Sequence, residues 1–175
     1  MIAKEPITVT EASAPDAGAF SAFLWEAWQQ VGPGAPGFTG ATDELIRDLT
    51  TRAAIVERLG GPDRRMFLAR SGNRVVGFSA TTRIDAATVE LAGIIVLQSM
   101  LGHGIGNTLV TATVAACDEE GYQRMIVRTE TDNQRAIRFY ETQGFTRIEQ
   151  RTVDVDGLTV PVWDLERSLE SSGGC

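Results

Sequence analysis

The stretch Ser99–Val110, SMLGHGIGNTLV, sets Gly102, Gly104 and Gly106 at alternate positions between an apolar run and a helix-like pattern. Glycines in such a place tolerate positive φ and let a ligand approach the backbone. Several N–H groups can then converge on one anion while the helix dipole adds partial positive charge. That chemistry suits a pyrophosphate. A nucleoside triphosphate site requires GxxxxGK[ST], and here Asn107 and Thr108 follow the glycines with no lysine in the loop. A dinucleotide site requires GxGxxG near the start of a larger doubly wound sheet, whereas this loop reads GHGIGN at mid-chain. A tight glycine-rich turn that holds nothing has the same pattern. His103 inside the loop is either a donor to phosphates or a solvated bystander. Upstream, Glu90 opens the run on the alternating set shared by Ala92, Ile94 and Val96. A carboxylate beside apolar neighbours holds a proton more readily and is a better base.

These residues need elements to position them. Val89–Leu97, VELAGIIVL, is apolar on both alternating sets after Glu90, as in a strand buried on both faces of a parallel sheet. Leu109, Val110, Thr113, Val114 and Cys117 form a helical stripe that stops at Gly121, and Arg124–Thr131 returns as a strand. Strand, glycine loop, helix and strand make a right-handed βαβ unit whose loop opens onto a ligand crevice. Upstream of the unit the pattern predicts a strand at Ile7–Thr10, a helix over 16–30, a second helix over 43–59 and a hairpin of 66–70 with 74–83. The loop VGPGAPGFTGAT between the two helices is long enough for a lid or binding loop, or is a slack connector. Downstream, TDNQRAIRFYETQGF reads as a helix capped by Asp132 or Asn133 and ended by Gly144. TRIEQRTV and LTVPVWDLERSL form a hairpin about Asp156-Gly157, with Pro161 at an edge or strand start.

Composition narrows the function classes. The 175 residues, 43% hydrophobic and 22% charged, fit one soluble globular domain. The longest apolar run is far too short for a membrane span, and the start MIAKEPITVTEAS has no apolar signal core, so a cytoplasmic location without a membrane partner is expected. Two cysteines, Cys117 on a helical core stripe and Cys175 at the end, imply neither a disulfide framework nor a catalytic thiol. A net charge of −7 repels a phosphate backbone, which argues against nucleic acid and mildly favours a cationic acceptor.

Taken together, Val96 with Gly102, Gly104, Ile105, Gly106 and Leu109, followed by NxxAIxFYExxGF over 133–145, resembles the GNAT superfamily of acetyl-CoA-dependent N-acetyltransferases. The likeness runs from about Met66 to Glu166. It implies an α/β (α+β) fold with a mixed central sheet, a βαβ coenzyme A-binding unit and flanking helices. Residues 1–170 would form one acyltransferase domain, and 171–175 a disordered tail. Acetyl-CoA would be the co-substrate, with no metal. By the same likeness the loop Leu101, Gly102, His103, Gly104, Ile105, Gly106 and Asn107 holds the pyrophosphate, and Ile94, Ile95 and Val96 pair through their backbone with the pantetheine arm. Asn133 lies by the pantetheine or acceptor end, and Tyr140 by the sulfur. The family pattern usually carries Arg or Gln where Leu101 stands and often Pro where Leu97 stands, so a side-chain contact to the coenzyme is lost.

The chemistry follows. A thioester is already activated, but an alkylammonium with a pKa of about 10.4 must lose a proton before it attacks. Glu90 is the candidate base, matching the glutamate many members use, and Tyr140 the candidate acid for the leaving thiolate. Backbone N–H groups around Ile95 would stabilise the oxyanion. Trp28 and Phe38 beside the Gly/Pro loop, with Thr129 and Glu130 at the end of the second parallel strand, are the candidate acceptor contacts. The acceptor is then a small-molecule or peptide amine. A homodimer through the C-terminal hairpin is possible, and a catalytically inactive acyl-CoA-binding sensor is the alternative to an enzyme.

Overall fold

The computed structural model describes residues 6–35 and 40–169, so the C-terminal tail and Cys175 lie outside the described residues. One seven-stranded mixed sheet runs in the order β1-β2-β3-β4-β5-β7-β6. Its strands are β1 (Ile7–Glu11), β2 (Arg64–Ser71), β3 (Arg74–Arg83), β4 (Thr88–Val96), β5 (Arg124–Glu130), β6 (Thr146–Val155) and β7 (Leu158–Ser168). The helices are α1 (Ala17–Val31), α2 (Asp43–Leu49), α3 (Arg52–Leu59), α4 (Ile105–Glu119) and α5 (Gln134–Thr142). No helix among the described residues is long and apolar enough to cross a membrane.

Cross-strand partners share a face of the sheet, and β3 shows which helices lie where. Gly77 and Ser79 face α4: the Ser79 and Thr113 hydroxyls are 2.7 Å apart, and a Cβ on Gly77 would meet Leu109 Cδ1 at 3.0 Å and Ile105 Cγ2 at 3.1 Å. Gly77 thus lets the first turn of α4 settle on the sheet. Phe78 faces the other way, its ring centroid 4.9 Å from that of Phe20 on α1. Tyr140 of α5 packs with Val110, Val127 and Leu165 on the α4 side.

Four expectations change. The helix over 43–59 is two helices, because Thr51 Oγ1 accepts from Ala54 N at 3.2 Å and caps a fresh start. Pro161 is not on an edge strand: β7 lies between β5 and β6. Pairing with β5 stops at Glu130↔Val162, however, so the missing N–H costs no ladder bond there, and the Pro161 carbonyl accepts from Thr131 N at 3.0 Å. The C-terminal half of β4 is not buried on both faces. Its parallel ladder with β5 ends at Leu91↔Val127, and beyond that point the strands splay. The single alternating set of Glu90, Ala92, Ile94 and Val96 does not hold either. Thr81 pairs with Leu91 and Ala80 with Gly93, which makes Ala92 a bulge. Glu90, opposite Thr82, therefore faces the α1 side, whereas Ile94, opposite Ser79, faces α4.

The hairpin turn is as expected. Asp156 (φ 51°) and Gly157 (φ 82°) both take positive φ, as a two-residue type I′ turn requires.

Candidate active site

The splay and the glycine loop open into one cleft of about 1220 Å³, lined by β4 from Glu90 to Val96, the loop, the first turns of α4 and α5, and the valines of β6 and β7. Leu97 N donates to Val76 O at 3.0 Å. Strand alternation then directs the Ile95 N–H toward β3 as well, and the Ile94 and Val96 N–H groups into the splay. Of the backbone N–H groups around Ile95, those of Ile94 and Val96 thus face the splay, whereas that of Ile95 is committed to the sheet.

In the loop, Gly102 (φ 79°) and Gly104 (φ 76°) are left-handed, and a Cβ at either would meet nothing within 4 Å. Conformation rather than space requires glycine there. Gly106 has the opposite reason: a Cβ would lie 3.1 Å from Phe139 Cζ, so this glycine lets α5 approach α4. Among the described residues, the N–H groups from Gly102 to Asn107 donate no loop or cap bond, and they stand at the positive end of α4. Ile105 is core, 1% exposed, and contributes backbone alone. His103 Nδ1 sits 3.1 Å from the carbonyl oxygens of both Met100 and Leu101 and its side chain does not line the cleft. Local backbone capture competes with reach toward a ligand, and here it wins. Leu101 lines the cleft, as does Asn107, whose Oδ1 accepts from Gln143 Nε2 at 3.0 Å.

Asn133 caps α5, its Oδ1 accepting from Ala136 N at 3.1 Å, and faces the cleft with Thr129 and Glu130. Tyr140 is 6% exposed yet lines the cleft. Its hydroxyl has no hydrogen-bond partner among the described residues, and burial pushes the phenol above its ordinary range, so it stays a neutral donor. Glu90 lines the same cleft from the opposite face of the sheet, its Oε1 3.4 Å from Arg128 Nη1. Its setting is therefore charge-paired instead of purely apolar. Arg128 Nε donates in turn to Asp164 Oδ1 at 3.0 Å, and Asp164 Oδ2 accepts from Arg151 Nε at 2.8 Å.

Trp28 is buried and its indole Nε1 donates to Asp43 Oδ1 at 2.7 Å, which ties α1 to α2 and places its ring on a second pocket described below. Phe38 lies outside the described residues. Two side chains were missed in the sequence. Arg128 reads there as a strand residue without a partner, since Glu90 and Asp164 are distant in the chain. Arg135, in the first turn of α5, lines the cleft and has no carboxylate partner among the described residues. Its position within NxxA was the available signal. Arg135 thus brings a cation to the cleft that the glycine loop also lines.

Residues 23–145 match the model of the acetyltransferase (GNAT) family. An uncharacterized N-acetyltransferase of Mycobacterium tuberculosis is 33% identical over 93 residues, 53% of this chain and 60% of that protein. The N-alpha-acetyltransferase 30 of Schizosaccharomyces pombe is 32% identical over 88 residues, 48% of this chain and 59% of that protein. The matched segment thus spans about 60% of the length of these curated relatives. Among solved structures, the PaiA N-acetyltransferase of Thermoplasma acidophilum in complex with coenzyme A superposes with a TM-score of 0.71 at 18% identity, covering 93% of this chain and 99% of that one. The ribosomal-protein-S18-alanine N-acetyltransferase of Escherichia coli gives 0.70 at 15% identity, covering 96% and 97%. These likenesses carry the fold.

Proposed function

Because the chain belongs to the GNAT acetyltransferase family, we propose that it moves an acetyl group from acetyl-CoA to an amine by direct attack in a ternary complex. The observation that carries this reading is the splay beyond Leu91↔Val127 ending beside a helix N-terminus whose amides are free. A pyrophosphate fits that nest, and an extended amide-bearing arm fits the strand edge. Acetyl-CoA supplies the activated acyl carbon.

The chain's own residues do the rest. The amides from Gly102 to Asn107 bind the diphosphate, and Ile94 and Val96 N–H groups hold the arm or receive charge that develops on the acyl oxygen. Glu90, directly or through water, accepts the proton that the amine must lose. Tyr140 donates a proton toward the sulfur. One N–C bond forms as one C–S bond breaks, and one proton leaves nitrogen while one arrives on sulfur. Arg128 holds Glu90 at the mouth of the splay and is itself anchored by Asp164.

The test is free-thiol release from acetyl-CoA over a broad amine panel, with calorimetry of coenzyme binding alongside. Turnover with any amine supports the reading. Tight coenzyme binding without turnover across the panel would favour the sensor instead.

A further inference from the structure

A second pocket of about 420 Å³ lies on the α1 side of the sheet, between α1, α2 and the strands β3 and β4. Its walls are apolar: Phe20, Leu24, Trp28, Met66 and Phe78 among others. It shares Phe78, Ala92, Gly93 and Ile95 with the active-site cleft, so the two meet along the β4 bulge beside Glu90. Such a volume is within the roughly 300–1,000 Å³ range of small-molecule sites.

Its rim carries Arg58 and Arg64. Among the described residues, neither forms a salt bridge or a side-chain hydrogen bond. Partial burial, and then the charge of Arg64, pull Arg58 below the ordinary arginine range, against the opposing charge of Glu57. Two guanidiniums on one rim, neither held in a salt bridge among the described residues, are a ready fork for a carboxylate. The register fixes how far they stand from the base. Arg64 pairs with Thr82 and Thr82 with Glu90, so the three share one row, with Arg64 and Glu90 two strand spacings, about 10 Å, apart at the backbone.

Resting on the acyltransfer reading above, we propose that the acceptor is an amine carrying both an apolar side group and a carboxylate, the chemistry of a free apolar amino acid. The side group occupies this pocket, the carboxylate meets Arg58 and Arg64, and the amine lies at the Ala92–Gly93 bulge, where the pocket joins the cleft. An amine lacking the carboxylate makes no charge-assisted bond to the two guanidiniums, and a polar side group loses its hydrogen bonds against these walls.

Thiol release is measured with L-leucine, L-phenylalanine and L-methionine against isopentylamine, 2-phenylethylamine and 3-(methylthio)propylamine, with phenylalanylglycine as the peptide arm and spermidine as a polar control. The amino acids are expected to exceed their matched amines by about 100-fold in kcat/KM, the effect of one or two charge-assisted hydrogen bonds. In R58Q and R64Q the advantage falls about tenfold each, through KM, and R64K recovers part of it. Equal rates for amino acids and matched amines overturn the proposal. So does preference for spermidine, or phenylalanylglycine matching phenylalanine, and in those cases acyl transfer itself stands. If no acceptor turns over, melting of the protein with each compound decides: stabilisation by the amino acids over their amines supports the pocket assignment, and its absence overturns it.

Discussion

The carboxylate of Glu90 lies 3.4 Å from the guanidinium of Arg128, and Arg128 is gripped from its other side by Asp164 at 3.0 Å. The candidate base is thereby fixed at the mouth of the splay on the face opposite Tyr140, with the acyl path between them. Replacing Glu90 by Gln keeps the shape and removes the base. Turnover should fall by roughly 10²- to 10⁴-fold with the KM for acetyl-CoA little changed. Steady-state kinetics of E90Q against the best amine checks this, and an unaltered kcat would make Glu90 a structural partner of Arg128.

Asp164 is 7% exposed and bonds two arginines, so its loss leaves two partly buried cations without a counter-charge. D164A is expected to destabilise the fold by about 2–4 kcal/mol, read from urea denaturation. A change within about 0.5 kcal/mol, the range of ordinary surface substitutions, would show that solvent screens the network.

Tyr140→Phe removes a hydroxyl without disturbing the ring contacts to Phe139 and Phe145. Turnover should fall by roughly 10²- to 10⁴-fold while coenzyme binding persists. Because burial holds the phenol protonated, wild-type rates should show no alkaline loss from this group up to about pH 10. Full activity in the Phe variant would assign the ring to packing.

Much of this site was legible in the chain. The three glycines, the helical stripe from Leu109 to Cys117 and the strands on either side fixed the βαβ unit and its opening. What could not be read were relations between distant residues. The bulge at Ala92 follows from how β3 pairs with β4, and it is what sends Glu90 and Ile94 to opposite faces. Likewise Gly106 looked like a ligand glycine, whereas its missing Cβ makes room for Phe139, 33 positions away. Strand order placed Pro161 inside the sheet, which a local reading of proline does not anticipate.

Gly106 separates the two kinds of glycine experimentally. G106A forces a Cβ to 3.1 Å from the Phe139 ring and should cost about 1–3 kcal/mol as α5 shifts. G102A and G104A each impose an unfavourable positive φ without a clash and should cost about 1 kcal/mol. Thermal melts of the three variants rank them, and an order reversed from this one would contradict the packing argument.

Cys117 is fully buried, and burial pushes its thiol from an ordinary 9.0 to about 12. A pKa raised by folding stabilises the fold fully below the unfolded value. That stabilisation is lost as pH climbs from about 9 toward 12, at up to ~1.4 kcal/mol per pH unit. C117A should flatten the decline between about pH 9 and pH 11 in urea denaturation; an identical slope in the variant would remove Cys117 as its source.

The central claim is that the main-chain nest from Gly102 to Asn107 and the open edge of β4 together grip a diphosphate-bearing thiol carrier. Calorimetric titration with coenzyme A and with pantetheine, which lacks the diphosphate, tests it most directly. The account predicts saturable coenzyme A binding at least about 100-fold tighter than pantetheine binding, the difference that diphosphate contacts to the main-chain nest and the helix terminus supply. Absence of heat with coenzyme A, or equal affinity for the two, would contradict it.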